Sequence, residues 1–272
     1  MGFVDRDYFK LAVALYGLSA IYSLLVWRRG FREDNRTNYA LLLIAFLFHT
    51  VAMFKRGFSL ERCPVNNLYE ATTFVEWTIA AACMAASAWP RLRFLGAFAA
   101  PFLLGIGVFA LVPALDVHGP KPQFVHGWVS LHAALILLAY GAFGLGSVAA
   151  LMYLTQERDL KLRKMRAFFS RMPSIQRLEK VMSMLLVAGF GLLTAGLMMS
   201  PWLMKQKLGV YFQADPKIIW SLLVWCLYLG LLAMRWPLAL GGRRLAWGVV
   251  ASFSFVLLTF WGFNLLSTVH HP

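Results

Sequence analysis

Residues 127–155 read GWVSLHAALILLAYGAFGLGSVAALMYLT, without one Asp, Glu, Lys or Arg. An apolar run of this length, at about 1.5 Å rise per residue, is long enough to cross a bilayer core of about 30 Å as a helix. Working outward, seven more apolar blocks follow the same pattern, at roughly 8–27, 37–54, 71–89, 94–113, 181–204, 218–236 and 245–267. Block 37–54 is short, and gains length if Lys55 and Arg56 snorkel. The expectation is an all-α, polytopic membrane protein, a bundle of about eight transmembrane helices forming one domain over residues 1–272. The whole-chain averages agree: 60% of the 272 residues are hydrophobic, 14% are charged, and mean hydropathy is +0.65. A soluble domain is nearer half apolar and a quarter charged, so soluble, disordered, collagen-like and disulfide-rich secreted classes are excluded.

The net charge of +14 would suggest nucleic acid in a soluble protein. Here it sorts by loop. With eight crossings, the side holding both termini collects 9 of the 26 basic residues and the other side 17. The positive-inside rule then places both termini outside, and no nucleic-acid partner is expected. The first block is followed by Arg28 and Arg29 and lacks a small-residue cleavage site, so it reads as a retained helix. The largest cytoplasmic segment, 156–180, holds eight Lys/Arg. Its role in setting topology suffices to explain it. Phe168, Met172 and Ile175 also have the spacing of an amphipathic helix on anionic lipid.

Cys83 and Cys226 lie within blocks and Cys63 is alone in an outer loop, so neither a thiol-redox pair nor a zinc site is indicated. Nucleotide-binding, zinc-protease and serine-hydrolase signatures are absent. Function must lie in the polar residues at the membrane. Five of the six histidines fall on the outer side. His132 near the start of the fifth block and His270 after the eighth sit at one depth, as axial ligation of a haem iron requires; interfacial polar residues are the simpler account of any one of them. Before the third block, Asn66, Asn67, Glu70 and Glu76 cluster where the chain re-enters the bilayer. Asn67 or Thr72 can cap that helix, and Glu76, one turn in, faces protein or a cavity. Before the seventh block, Asp215 precedes Pro216, an arrangement that caps a helix start. Around it, Tyr211, Phe212, Trp220 and Trp225 offer flat apolar faces, and Lys205, Lys207 and Lys217 offer cations. That set suits a flat apolar molecule with carboxylate tails, and equally an aromatic belt with snorkelling lysines.

Four stretches then carry a resemblance. Pro64-Val-Asn-Asn-Leu-Tyr-Glu-Ala-Thr-Thr-Phe-Val-Glu-Trp77, Trp128 to Tyr140, Asp215-Pro-Lys-x-x-Trp220 with Trp225 and Tyr228, and Gly262-Phe-Asn-Leu-Leu-Ser-Thr-Val-His270 are similar, in order, to the cytochrome c assembly protein family. That family includes CcsA/ResC, CcmC and HemX-like branches. The resemblance implies non-covalent, transient haem b, held at the outer face under a tryptophan-rich segment. His132 and His270 are the implied iron ligands, with Tyr211, Phe212, Asp215, Lys217 and Trp220 around them. Asn67, Glu70, Glu76, Trp77 and Trp128 are implied as further functional residues. Implied partners are haem, an apocytochrome c and a second assembly subunit of the ResB/CcsB type, in the bacterial cytoplasmic membrane.

The departures are specific. Where the family's signature has tryptophans, this chain has Leu208, Phe212 and Ala214, and a following Glu is Ile218. A histidine usual in the seventh helix is Ala233, which leaves His49 as the one intramembrane histidine, a buried hydrogen-bonding residue or a holder of haem in transit. In length and reduced signature the chain looks closest to the HemX-like branch. The expected function is a haem-binding protein for cytochrome c assembly, a carrier more than a stand-alone synthase. The alternatives are a HemX-like regulator of haem biosynthesis and, behind it, a small-molecule transporter.

Overall fold

The computed structural model describes residues 4–29, 36–60, 67–88, 93–116, 127–161, 174–212, 215–235 and 242–266. Among them are eight α-helices: α1 (Asp5–Arg29), α2 (Arg36–Leu60), α3 (Leu68–Ser87), α4 (Leu95–Ala110), α5 (Gly127–Lys161), α6 (Ile175–Leu208), α7 (Pro216–Arg235) and α8 (Arg243–Leu266). No strand occurs among the described residues. Every apolar block corresponds to one helix. Five of them, α1, α2, α5, α6 and α7, are long and apolar enough to cross a membrane.

The helix ends follow local chemistry. α3 starts three residues before its apolar block because the Asn67 side chain accepts the Glu70 N–H at 2.8 Å. α4 stops at Ala110; Val112, ahead of Pro113, takes an extended ψ of 122°, and residues 113–115 form a 3-10 turn. α6 ends where Gly209 turns left-handed at φ 75°, its N–H bonding the Lys205 carbonyl at 3.1 Å. α5 and α6 overrun their blocks on the basic side, so residues 156–161 and 175–180 continue helices. Phe168 and Met172 lie outside the described residues.

Neighbouring helices run antiparallel. Asp5 meets Arg56 and Ser19 meets Asn38 across α1 and α2, Trp128 meets Trp202 across α5 and α6, and Trp220 meets Thr259 across α7 and α8. α1 to α4 pack on one another, α5 packs most extensively on α6, and α5 also contacts α3, α4 and α8, which joins the two halves. Small residues permit this closeness. A Cβ on Gly189 of α6 would stand 2.6 Å from the Phe143 ring of α5, and one on Gly141 of α5 would overlap the Thr78 side chain of α3. Leu18 and Ile21 of α1, Leu47 and Phe54 of α2, and Ile219 and Leu222 of α7 are exposed, the outward apolar face that lipid requires.

Candidate functional site

The alternating directions bring the starts of α1, α3, α5 and α7 and the ends of α2, α4, α6 and α8 to one end of the bundle, the end that the charge count assigns to the outside. Three groups of polar residues sit at or below it.

The first centres on His132, in the second turn of α5. Its Nδ1 lies 2.8 Å from the backbone carbonyl of Gly196 on α6. A carbonyl only accepts, so this bond requires the hydrogen on Nδ1 and leaves the Nε2 lone pair available. Gly196 makes the contact possible, because a Cβ there would stand 2.8 Å from Ile136 Cγ1. Lys217 at the start of α7 is within electrostatic reach of the imidazole. Asp215 is buried and caps α7, its Oδ1 accepting the Lys217 N–H at 2.9 Å. Tyr211 and Phe212 are 64% and 62% exposed, and the Lys205 ammonium sits 5.0 Å over the Tyr211 ring. Trp128, also exposed, meets Trp202 edge to face at 5.8 Å. Trp220 departs from this set. It is 2% exposed, donates its indole N–H to Thr259 Oγ1 at 2.8 Å, and lies edge-on to Tyr140. It wedges α7 against α5 and α8. His270, Ala214 and the side chain of Leu208 lie outside what is described, so the His132–His270 pairing is not part of the geometry. Ala233 is exposed on α7.

The second group is an ionic clamp that sequence reading missed. Arg56, which would lengthen its block by snorkelling, is instead drawn inward, and the residue is 8% exposed. Its Nε donates to Glu70 Oε1 at 3.1 Å, Nη1 to Asp5 Oδ2 at 3.2 Å and Nη2 to Asp116 Oδ1 at 2.6 Å. Asn67 donates to the same Asp116 oxygen at 3.1 Å. Arg6 adds a bond to the Leu111 carbonyl at 3.0 Å and stands 3.7 Å from Asp116. Arg6 and Arg56 both lie over the Tyr69 ring, at 5.7 and 5.3 Å. α1, α2, α3 and the turn that follows α4 are thus tied through one guanidinium fork. Glu70 and Asn67, singled out from the sequence, belong to this clamp. Asp5 and Asp116 carried no local signal, since they are 51 and 60 residues from Arg56. Trp77 is packing: its N–H bonds Thr50 Oγ1 at 2.9 Å and its ring stacks on Phe46.

The third group lies deeper. His49 and Glu76 are fully buried, and the Tyr16 hydroxyl lies 3.3 Å from His49 Nδ1. Among the described residues, no cluster of His, Cys, Asp and Glu suits a metal ion.

A family profile described as "Cytochrome C assembly protein" matches residues 65–271. The chain belongs to the cytochrome c assembly protein family. It is 26% identical to a protein named cytochrome c biogenesis protein CcsA from Gloeobacter violaceus, over 96% of this chain and 91% of that one. It is 25% identical to Protein HemX from Brevibacillus brevis, over 97% of both. The fold is that of a solved structure, cytochrome c heme lyase CcmF, with a TM-score of 0.67 at 17% identity; the match covers 96% of this chain and 50% of CcmF. With this family membership, the long apolar helices make the chain a multi-pass membrane protein.

Proposed function

We propose that this member of the cytochrome c assembly family binds haem at the outer face of a bacterial cytoplasmic membrane and presents it for c-type cytochrome assembly. The observation that carries the reading is the Nδ1 bond from His132 to the Gly196 carbonyl. It fixes the tautomer and ring direction that an axial ligand needs. The residues beside it fit the group. Tyr211 and Phe212 offer exposed ring faces, and Lys205 and Lys217 offer cations for propionates. His270, at the end of the chain, is the proposed second ligand. Trp220 supports the site from below by fixing α7. Haem, when bound, supplies an iron and two vinyl groups; the chain's residues hold and orient it and keep one face near water. Clients in this reading are an apocytochrome c and a second subunit of the ResB/CcsB type.

Titration of the purified protein with haem tests this. The wild type is expected to develop a Soret band that His132→Ala weakens and the His132→Ala, His270→Ala pair loses. A double variant with the wild-type spectrum overturns the ligand assignment.

The match to HemX over almost all of both chains supports a second reading, a membrane regulator of haem biosynthesis working through its basic side. Removal of residues 162–173 alone spares the ends of α5 and α6. Loss of partner level with intact haem binding favours regulation, and the reverse favours presentation.

A further inference from the structure

α4 belongs to the first half of the bundle and α8 to the second. α4 packs on α1, α2, α3 and α5, and α8 packs on α5 and α7. Between them, Phe102 of α4 reaches Phe253 of α8, with ring centroids 5.9 Å apart. The rest of this seam is an open groove of about 240 Å3. It is lined by Pro101, Phe102, Gly105, Ile106 and Phe109 of α4 and by Leu257 of α8. None of the six has a polar side-chain atom. Val108 of α4 and Leu258 of α8, both exposed, extend the apolar surface on either side.

The α4 sequence sets the shape of the groove. Positions 101, 105 and 109 are spaced by four, with 102 and 106 beside them, so the five form one stripe along the helix. At about 1.5 Å per residue the stripe is about 12 Å long. It begins at Phe109, beside the end of α4 at the His132 side, and so lies in that half of the bilayer. Pro101, Gly105 and Phe109 are exposed. Gly105 notches the middle, where a Cβ would meet nothing within 4 Å.

Shape and chemistry together select the occupant. Walls without donors or acceptors cannot replace the water lost by a headgroup or a charged ligand. About 240 Å3 spread over about 12 Å leaves a cross-section on the order of 20 Å2, far less than a helix about 10 Å across requires. Ile106 and Leu257 also line a smaller pocket with the buried residues Val75, Tyr140 and Phe253. Its volume is about 20 Å3, against about 150 Å3 for a cavity that accepts a benzene ring. A ring therefore goes no deeper than the seam. A narrow apolar trench that follows the helix axis, and hence the bilayer normal, fits an extended hydrocarbon chain.

We propose that the α4–α8 seam binds one acyl chain of a phospholipid from the leaflet on the His132 side. The chain lies along Pro101, Gly105 and Phe109, and its headgroup stays at the membrane surface beyond the end of α4. It fills the seam between two halves that α5 otherwise joins. Lipid on the open faces of α1 and α7 exchanges freely, whereas the seam chain is held from three sides.

Photo-labelling of the full chain tests this without haem. The probe is a phosphatidylcholine with a diazirine in one acyl chain, mixed into phosphatidylcholine vesicles. After extraction into detergent and irradiation, labelled peptides are expected to contain residues 101–109 or Leu257 several-fold more often than Leu18 or Leu222, which are exposed elsewhere. Native mass spectrometry of the same sample should show one chain carrying one phospholipid. Gly105→Leu, which fills the notch, should lose both signals. If that variant does not fold, Leu257→Trp narrows the groove from α8 and should lose them instead. Labelling spread evenly over the exposed faces overturns the proposal, as does seam labelling that survives in the folded variant. A mass of two chains that falls to one in Gly105→Leu shows a second copy in the seam and overturns it too.

Discussion

The His132 imidazole of α5 and the Gly196 carbonyl of α6 are 2.8 Å apart, across a contact that only a glycine permits. This bond couples the direction of the imidazole to helix packing. Gly196→Val is therefore expected to act on haem although residue 196 has no side chain to offer it. The added carbons meet Ile136, the helices separate and the bond lengthens. Loss of such a supporting partner costs about 10–100-fold in metal affinity. Haem titration of Gly196→Val should show that weakening with His132 in place. Unchanged affinity would detach the bond from function.

The Arg56 clamp predicts a stability effect distinct from haem binding. Arg56→Ala leaves Asp5, Glu70 and Asp116 without their shared partner, and breaking a buried pair costs about 3–5 kcal/mol. Thermal unfolding in detergent should show a large fall in Tm. Arg56→Lys should recover little of it, since one ammonium cannot reproduce a fork aimed at three carboxylates. A Lys variant with wild-type Tm would show that charge alone suffices.

The aromatic residues divide into two classes. Phe212→Ala should weaken haem by about 1 kcal/mol, the scale of one ring contact, with Tm nearly unchanged, because the ring is exposed. Trp220→Ala should do the opposite first, lowering Tm through a core-truncation cost in stability of about 3–5 kcal/mol. Phe212→Trp should strengthen haem binding by enlarging the platform. Equal effects of Phe212→Ala and Trp220→Ala on both readouts would contradict the division.

Two caps give a smaller test. Asn67→Ala and Asp215→Ala should each cost about 1 kcal/mol of stability from the lost bond to a helix-start N–H. Asn67→Ala should cost more, because its amide also donates to Asp116. Matched unfolding curves for the two variants would argue against that second contribution.

What could be read from the chain was what lies close together along it. Apolar blocks gave eight helices, since a bilayer leaves the backbone no other way to satisfy itself. Asn67 and Asp215 as caps were legible for the same reason: donor and acceptor are two or three residues apart. The clamp was not, because a basic residue at a helix end looks the same whether it reaches water or three distant carboxylates. Nor could spacing divide the aromatic residues, since Phe212 and Trp220 are only eight positions apart in one stretch. Only the packing of α7 against α5 and α8 carries Trp220 into the core, while Phe212, between α6 and α7, stays exposed.

The lengths of α5 and α6 carry a mechanical consequence. At 35 and 34 residues, each reaches about 50 Å, against a hydrocarbon slab of about 30 Å. Paired antiparallel, they form a stiff mast whose far end stands clear of the lipid while its near end cradles the histidine. A push on that far end, from whatever docks there, arrives as a tilt of one mast member against the other, and the imidazole–carbonyl joint is where such a tilt is felt.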